Sequence, residues 1–135
     1  MSAVPKRRLT PAEYLAIERA AEWRHELLDG VRVPRDRATY EHTRIVSNLI
    51  ASLGESLQAG GCRTLSQSLR GKTTAPEAYT YPDVIVLCGP RELEDDCRDT
   101  LLNPQVIVEV LSDSTESYDR GKKFDHYRRL PSLRE

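Results

Sequence analysis

The chain has 135 residues, with 20 lysines and arginines against 21 aspartates and glutamates and a formal net charge of −1. That length suits one domain, residues 1–135, with a modest core, and near-neutrality excludes a global field drawing the chain to nucleic acid or membrane. Any DNA contact must come from local basic patches, and no apolar run is long enough to span a bilayer.

Apolar content of 39% with 30% charged residues predicts a folded, soluble chain. The start, MSAVPKRR, has no apolar segment behind its charges and does not read as a secretory signal. Cys62, Cys88 and Cys97 have no metal-like spacing. They read as reduced thiols of a cytoplasmic protein, with Cys88 in the core.

The first element is a helix. Thr10 is its cap, Pro11 suits the first helical position, and Glu13 can reach back to close a capping box. Leu9 and Tyr14 are placed as a hydrophobic staple, and the helix should run to about Arg19. Lys6, Arg7 and Arg8 could touch phosphate, but a solvated tail is the simpler reading. Trp23 to Leu28, then Asp29-Gly30, then Val31 to Val33 read as a hairpin, because Asp-Gly supplies the positive φ of a tight turn. Trp23 reads as core. Glu26 shares a strand face with Leu28 and is either a helper in an acidic site or an edge glutamate facing water.

Tyr40 to Leu57 carries helical periodicity in Ile45, Val46, Leu49, Ile50, Leu53 and Leu57, a stripe that should lie across a sheet, with Gly60-Gly61 ending it. His42, one turn before that stripe, could be a general base but reads more simply as a hydrogen-bonded helix residue. Cys62–Leu65 and Ser68–Lys72 read as short strands. Arg70 and Lys72 share a face there, available to DNA or serving as edge protection. Thr73 to Tyr79 reads as a turn.

Two β-branched runs come next, YPDVIVLCG and NPQVIVEVLS, each with one carboxylate, Asp83 and Glu109. If they pair antiparallel with Cys88 opposite Pro104, Val86 meets Val106, Ile85 meets Ile107, and Asp83 meets Glu109. Directly opposite residues project to one face with Cβ atoms about 5 Å apart, so the register that matches the apolar residues sets two acids side by side. Two such carboxylates repel, and a hard cation would relieve them; Mg²⁺ or Mn²⁺ is the expected cofactor. The link from Gly89 to Asn103, with Glu92, Glu94, Asp95, Asp96 and Asp99, reads as a solvated acidic loop.

Ser112 to Ser117 is turn and cap chemistry before a last helix, where Asp119 favours the N-terminus. With Phe124 at zero and about 100° per residue, Tyr127 falls at about 300°, Leu130 at about 240° and Lys123 at about 260°. Lys122 falls at about 160°, beside His126 and Arg129 on the polar side. Lys123 is therefore aimed at the sheet and Lys122 at solvent. Arg120, Lys122, Arg128 and Arg129 make this the most basic element and a plausible phosphate-facing surface.

Pro82-Asp83, then Glu109 in VEV, then a lysine resembles the PD-(D/E)XK nuclease superfamily. More narrowly, ELLDG, YPDVIVLCGP, VIVEVLS and YDRGKKFDHYRRLPSLRE in that order resemble the Uma-type restriction-endonuclease family, from about Leu9 to Glu135. The resemblance implies an α/β, restriction-endonuclease-like core: a small mixed sheet flanked by helices, with an N-terminal helix and β-hairpin. It implies metal on Asp83 and Glu109, catalysis by Asp83, Glu109 and Lys123, and a role for Glu26 in ELLDG.

In the superfamily the lysine usually stands two residues after the glutamate, where this chain has Leu111; the resemblance implies its relocation to Lys123. The family also continues past PSLRE into a further strand, so an exposed sheet edge that could drive a homodimer is expected. The function expected is a metal-dependent nuclease acting on DNA, with no membrane partner. The alternative is a non-catalytic nucleic-acid-binding or assembly module on the same fold.

Overall fold

The computed structural model describes residues 7–35, 38–73, 77–111 and 119–135. The turn at 112–117 lies outside them, as do Lys6 and the side chains of Asp119 and Arg120. Among the described residues no helix is long and apolar enough to cross a membrane.

Helix α1 spans Pro11–Ala20, and both halves of its capping box form between Thr10 and Glu13. It drops Tyr14 and Leu15 onto Leu27 and Tyr79, with Leu9 closing over them. The hairpin comes next, as expected: β1 is His25–Leu28 and β2 is Val31–Pro34, with φ of 51° at Asp29 and 78° at Gly30. Trp23 is not core. It lies in a bend before β1 and is 65% exposed, because Tyr14, Leu15, Leu27 and Tyr79 already fill the space under α1.

The other described strands are β3 (Cys62–Ser66), β4 (Arg70–Thr73), β5 (Ala78–Thr80), β6 (Val84–Cys88), β7 (Thr100–Leu101) and β8 (Val106–Val108). They divide between two sheets within the mixed α/β fold: five strands in the order β2-β1-β5-β4-β7, and three in the order β3-β6-β8. Among these described strands only the β4–β7 pair is parallel. Strand β5 occupies part of the segment expected as a turn; with three residues it is too short to show a period. Tyr81-Pro82-Asp83 joins β5 in one sheet to β6 in the other, so the seam between sheets runs through the PD motif.

Helix α2 spans Tyr40–Leu57, capped by the Thr39 side chain, and lies against β3 and β6. Of its apolar stripe only Val46 is fully buried; Leu49, Ile50, Leu53 and Leu57 are half-buried and Ile45 is exposed. Under the three-stranded sheet Ile85, Leu87 and Leu101 pack with Leu65, Leu69 and Leu93.

Several expectations are corrected by pairing across this frame. Cys62 and Cys88 stand opposite one another in the β3–β6 ladder, Cα atoms 4.0 Å apart, and their sulfurs are bonded. Only Cys97 is free among the described residues. The expectation of three reduced thiols fails, and the argument for a reducing compartment loses that support.

The acidic link is not merely solvated. Asp95 and Asp99 accept from Arg19, Asp99 also accepts from Arg70, and Glu94 accepts from Lys72 and the Tyr79 hydroxyl. Hydrogen bonds from Arg19 hold the Asp99 carboxyl far below the usual carboxylate range, with Arg70 adding to the effect. Arg70 is buried and bonded to Thr100 and Tyr81 as well, so neither it nor Lys72 offers a bare basic face to DNA.

The outer edge of β8 is also taken up. Arg134 N donates to Gln105 O at 2.7 Å and Ile107 N donates to Glu135 O at 2.9 Å. The bare edge expected to drive a homodimer is covered over those residues.

The last helical segment is a π turn at Asp119–Lys123 running into a short helix, α3, at Phe124–Tyr127. Lys123, Tyr127 and Leu130 are buried and Lys122 is exposed, as the angular reading required. Phe124 and His126 trade places against expectation. Phe124 is exposed, while His126 is buried with Nε2 3.3 Å from Asp29 Oδ1 in the hairpin turn. A segment this short, entered through a π turn, does not keep a fixed step of about 100° along its length.

Candidate active site

The β6–β8 register pairs Val84 with Val108, Ile85 with Ile107 and Val86 with Val106. Continued by one residue it sets Asp83 against Glu109. Each acid is held by the opposite strand: Val110 N donates to Asp83 Oδ2 at 2.7 Å, and Asp83 N lies 3.3 Å from Glu109 Oε1. Asp83 is 2% exposed, which a carboxylate tolerates only with partners of this kind.

Glu26 comes from the other sheet. β1 is an interior strand between β2 and β5, so the water-facing edge reading of Glu26 is corrected. Glu26 is 3% exposed and its Oε2 accepts from Tyr81 N at 2.6 Å, where the chain leaves β5 for the other sheet.

Lys123 joins the two sheets' acids. Its Nζ donates to Glu109 Oε2 at 2.6 Å and lies 3.2 Å from each oxygen of Glu26. Tyr127, one turn on, donates from its hydroxyl to Thr80 Oγ1 at 2.9 Å and lies 3.4 Å from Glu109 Oε1. Asp83, Glu109, Glu26 and Lys123, each singled out in the sequence, are thus brought into one connected cluster.

Two members carry little or no sequence signal. Arg35, just past β2, donates to the Tyr81 carbonyl, to Asp83 Oδ1 at 3.0 Å and to Gln67 Oε1 at 3.4 Å. No periodicity distinguishes it from the chain's other arginines. His42 does have a positional signal, at the start of the α2 stripe. Its Nε2 lies 3.2 Å from Asp83 Oδ1, and its buried Nδ1 has no hydrogen-bond partner among the described residues.

The electrostatics come from three carboxylates sharing one dry seam. Burial pushes the Glu109 carboxyl up to about 7; Glu26 and Asp83 add to that, and Lys123 opposes it. Arg35 is held above its ordinary value: burial disfavours its charge, but Glu26, Asp83 and Glu109 together outweigh burial. With all three ionised, the carboxylates outnumber the two cations, Lys123 and Arg35, by one.

That imbalance is what a divalent cation would relieve. The donors are carboxylate oxygens, suited to a hard ion that takes one or two protein carboxylates and keeps several waters. Among the described residues no three His, Cys, Asp or Glu side chains are grouped to enclose a metal. Asp83 and Glu109 supply two carboxylates, the smaller number that would hold a water-retaining Mg²⁺ or Mn²⁺. A separate shallow cavity, lined by Ile107, Phe124, Tyr127 and Leu133 among others, takes in none of the three acids.

Two proteins of Synechocystis sp., sll1609 and slr1290, both described as uncharacterised, are similar to this chain. The first is 33% identical over 127 residues, covering 94% of this chain and 72% of that protein. The second is 34% identical over 133 residues, covering 98% and 69%. A crystal structure from Anabaena variabilis, described as a "putative nuclease belonging to DUF820", shares the fold with a TM-score of 0.71 at 21% identity. That likeness covers 87% of this chain and 66% of the Anabaena protein, so this chain spans just under two thirds of its length. Residues 11–135 match the Uma2 family, described as "Putative restriction endonuclease", and the chain belongs to that family.

Proposed function

We propose that the chain is a metal-dependent nuclease hydrolysing phosphodiester bonds in DNA, with Mg²⁺ or Mn²⁺ held by Asp83 and Glu109. The observation that carries this reading is the buried ammonium of Lys123, 2.6 Å from Glu109 and seated between acids of two sheets. Bound at the two acids, the ion would supply Lewis acidity at the phosphate and a more acidic water. Lys123 places a positive charge where negative charge develops on phosphate oxygens as water adds and the leaving oxygen departs. Glu26 holds Lys123 from the far side, and Tyr127 steadies Glu109. Lys122 and Arg128, exposed on the same helical segment, would supply phosphate-backbone contacts that carry no sequence information.

The reading keeps the cytoplasmic residence expected from the sequence, now without the support of three reduced thiols. Plasmid incubated with Mg²⁺ or Mn²⁺ should be cut by wild type and not by Asp83→Ala; no metal-dependent cutting, or equal cutting by the variant, sinks it.

One observation favours a second reading. Asp83 is tied to Arg35 and Glu109 to Lys123, an ion-paired cluster that could simply join the sheets of a non-catalytic nucleic-acid-binding or assembly module. Calorimetric titration separates the two: Mn²⁺ binding that disappears in Glu109→Ala favours the enzyme.

A further inference from the structure

We propose that Arg35 is the resident counter-ion of Asp83, filling the cation position in the metal-free protein and turning to a backbone phosphate when a divalent ion takes that carboxylate. This deepens the nuclease reading and rests on it. Among the described residues the guanidinium has three acceptors, and of them Asp83 Oδ1 alone is charged. The Tyr81 carbonyl and the Gln67 side-chain oxygen are neutral, and they form a perch that remains when Asp83 is withdrawn.

The position is also fixed from the backbone side. Arg35 N donates to Arg24 O at 3.0 Å, extending the β1–β2 hairpin past its last strand residue, so the side chain starts from a rigid element. At 3.0 Å from a carboxylate that is itself 2% exposed, a guanidinium and a divalent ion on the same oxygen would repel strongly. One must give way. The Arg35 side chain keeps a fifth of its surface in solvent, while Lys123 keeps 3%. Of these two cations Arg35 is therefore the one nearer to arriving substrate. Its planar fork suits two phosphate oxygens at once, which an ammonium does not.

Mn²⁺ titration by calorimetry of wild type, Arg35→Gln and Asp83→Asn tests this, together with binding of a labelled DNA duplex in Ca²⁺. Arg35→Gln is expected to bind Mn²⁺ about tenfold more tightly than wild type and the duplex about tenfold more weakly. Mn²⁺ binding that is seen only in Arg35→Gln also supports the proposal. Mn²⁺ affinity that is lost in Asp83→Asn but unchanged or weakened in Arg35→Gln overturns it and leaves the nuclease reading standing. Unchanged duplex binding overturns the phosphate half. No Mn²⁺ binding by any of the three overturns both readings. Should Arg35→Gln fail to fold, the Arg35 Nε–H NMR signal of wild type decides: it should move on adding Mg²⁺, and a signal that stays put overturns the proposal.

Discussion

At Glu109 the protein holds a proton it would release in the unfolded chain. The carboxyl is raised from 4.5 to about 7, chiefly by burial, so between those values the folded state binds the extra proton. Stability contributed by this group is therefore present at the acid end of the window and falls as pH rises through it, by on the order of 2–3 kcal/mol in the metal-free protein. Urea unfolding at pH 5 and pH 7.5 should show that slope in wild type and lose it in Glu109→Gln. Lys123 works in the opposite direction at the same atoms. Lys123→Met should abolish cleavage, push the Glu109 midpoint higher by ¹³C NMR, and destabilise by about 3–5 kcal/mol, because two buried carboxylates lose their shared cation. At this scale the sequence was a good guide where chemistry and period coincided. Asp83, Glu109 and Lys123 each interrupt an apolar pattern, and an ionised group in such a place needs a partner. Arg35 interrupts nothing, and its position is set by a distant carbonyl and carboxylate.

Elements were legible in proportion to how many of their residues repeat. The 18-residue α2 and the capped α1 can be read directly from spacing and caps, and the β6–β8 register from counting outward from the valines. Strands β5 and β7, of three and two residues, exist because neighbours complete their hydrogen bonds, so nothing local announces them. The acidic link was misjudged for the same reason, since its partners Arg19, Arg70 and Lys72 lie far away in sequence. Asp99 makes that link testable. Its carboxyl is held below the ordinary value, so its contribution is fully present above about pH 4 and is lost as pH falls further. Asp99→Asn should flatten the acid limb of the stability profile by calorimetry. Discounted for partial exposure, the neutral-pH loss is expected at about 1–2 kcal/mol.

For the whole molecule, the two sheets are joined in chain by Tyr81-Pro82-Asp83, and one covalent bond closes the three-stranded side. The Cys62–Cys88 bridge spans 26 residues, a loop whose closure in the unfolded chain is worth about 3.5 kcal/mol. Reduction should lower the melting temperature by several degrees or more while leaving the acidic seam assembled, since the cystine lies at the opposite end of β6 from Asp83. Scanning calorimetry with and without reductant measures the first part, and the Glu109 midpoint under reductant the second.

The π turn ahead of α3 has a consequence for insertion and deletion. A wider turn amounts to one residue more than the regular spiral would use, and Gly121 sits inside it. Deleting Gly121 would let the turn relax to the tighter winding and rotate the residues before it by about 100° against α3. Lys123 lies on the α3 side of that deletion, so a single codon's removal should leave the ammonium at both acids with Tyr127 and Leu130 seated, the whole rotation being taken up by the chain that enters the turn. Such a shortened chain would therefore part the winding of the turn from the seating of the amine, two things the full-length chain ties together.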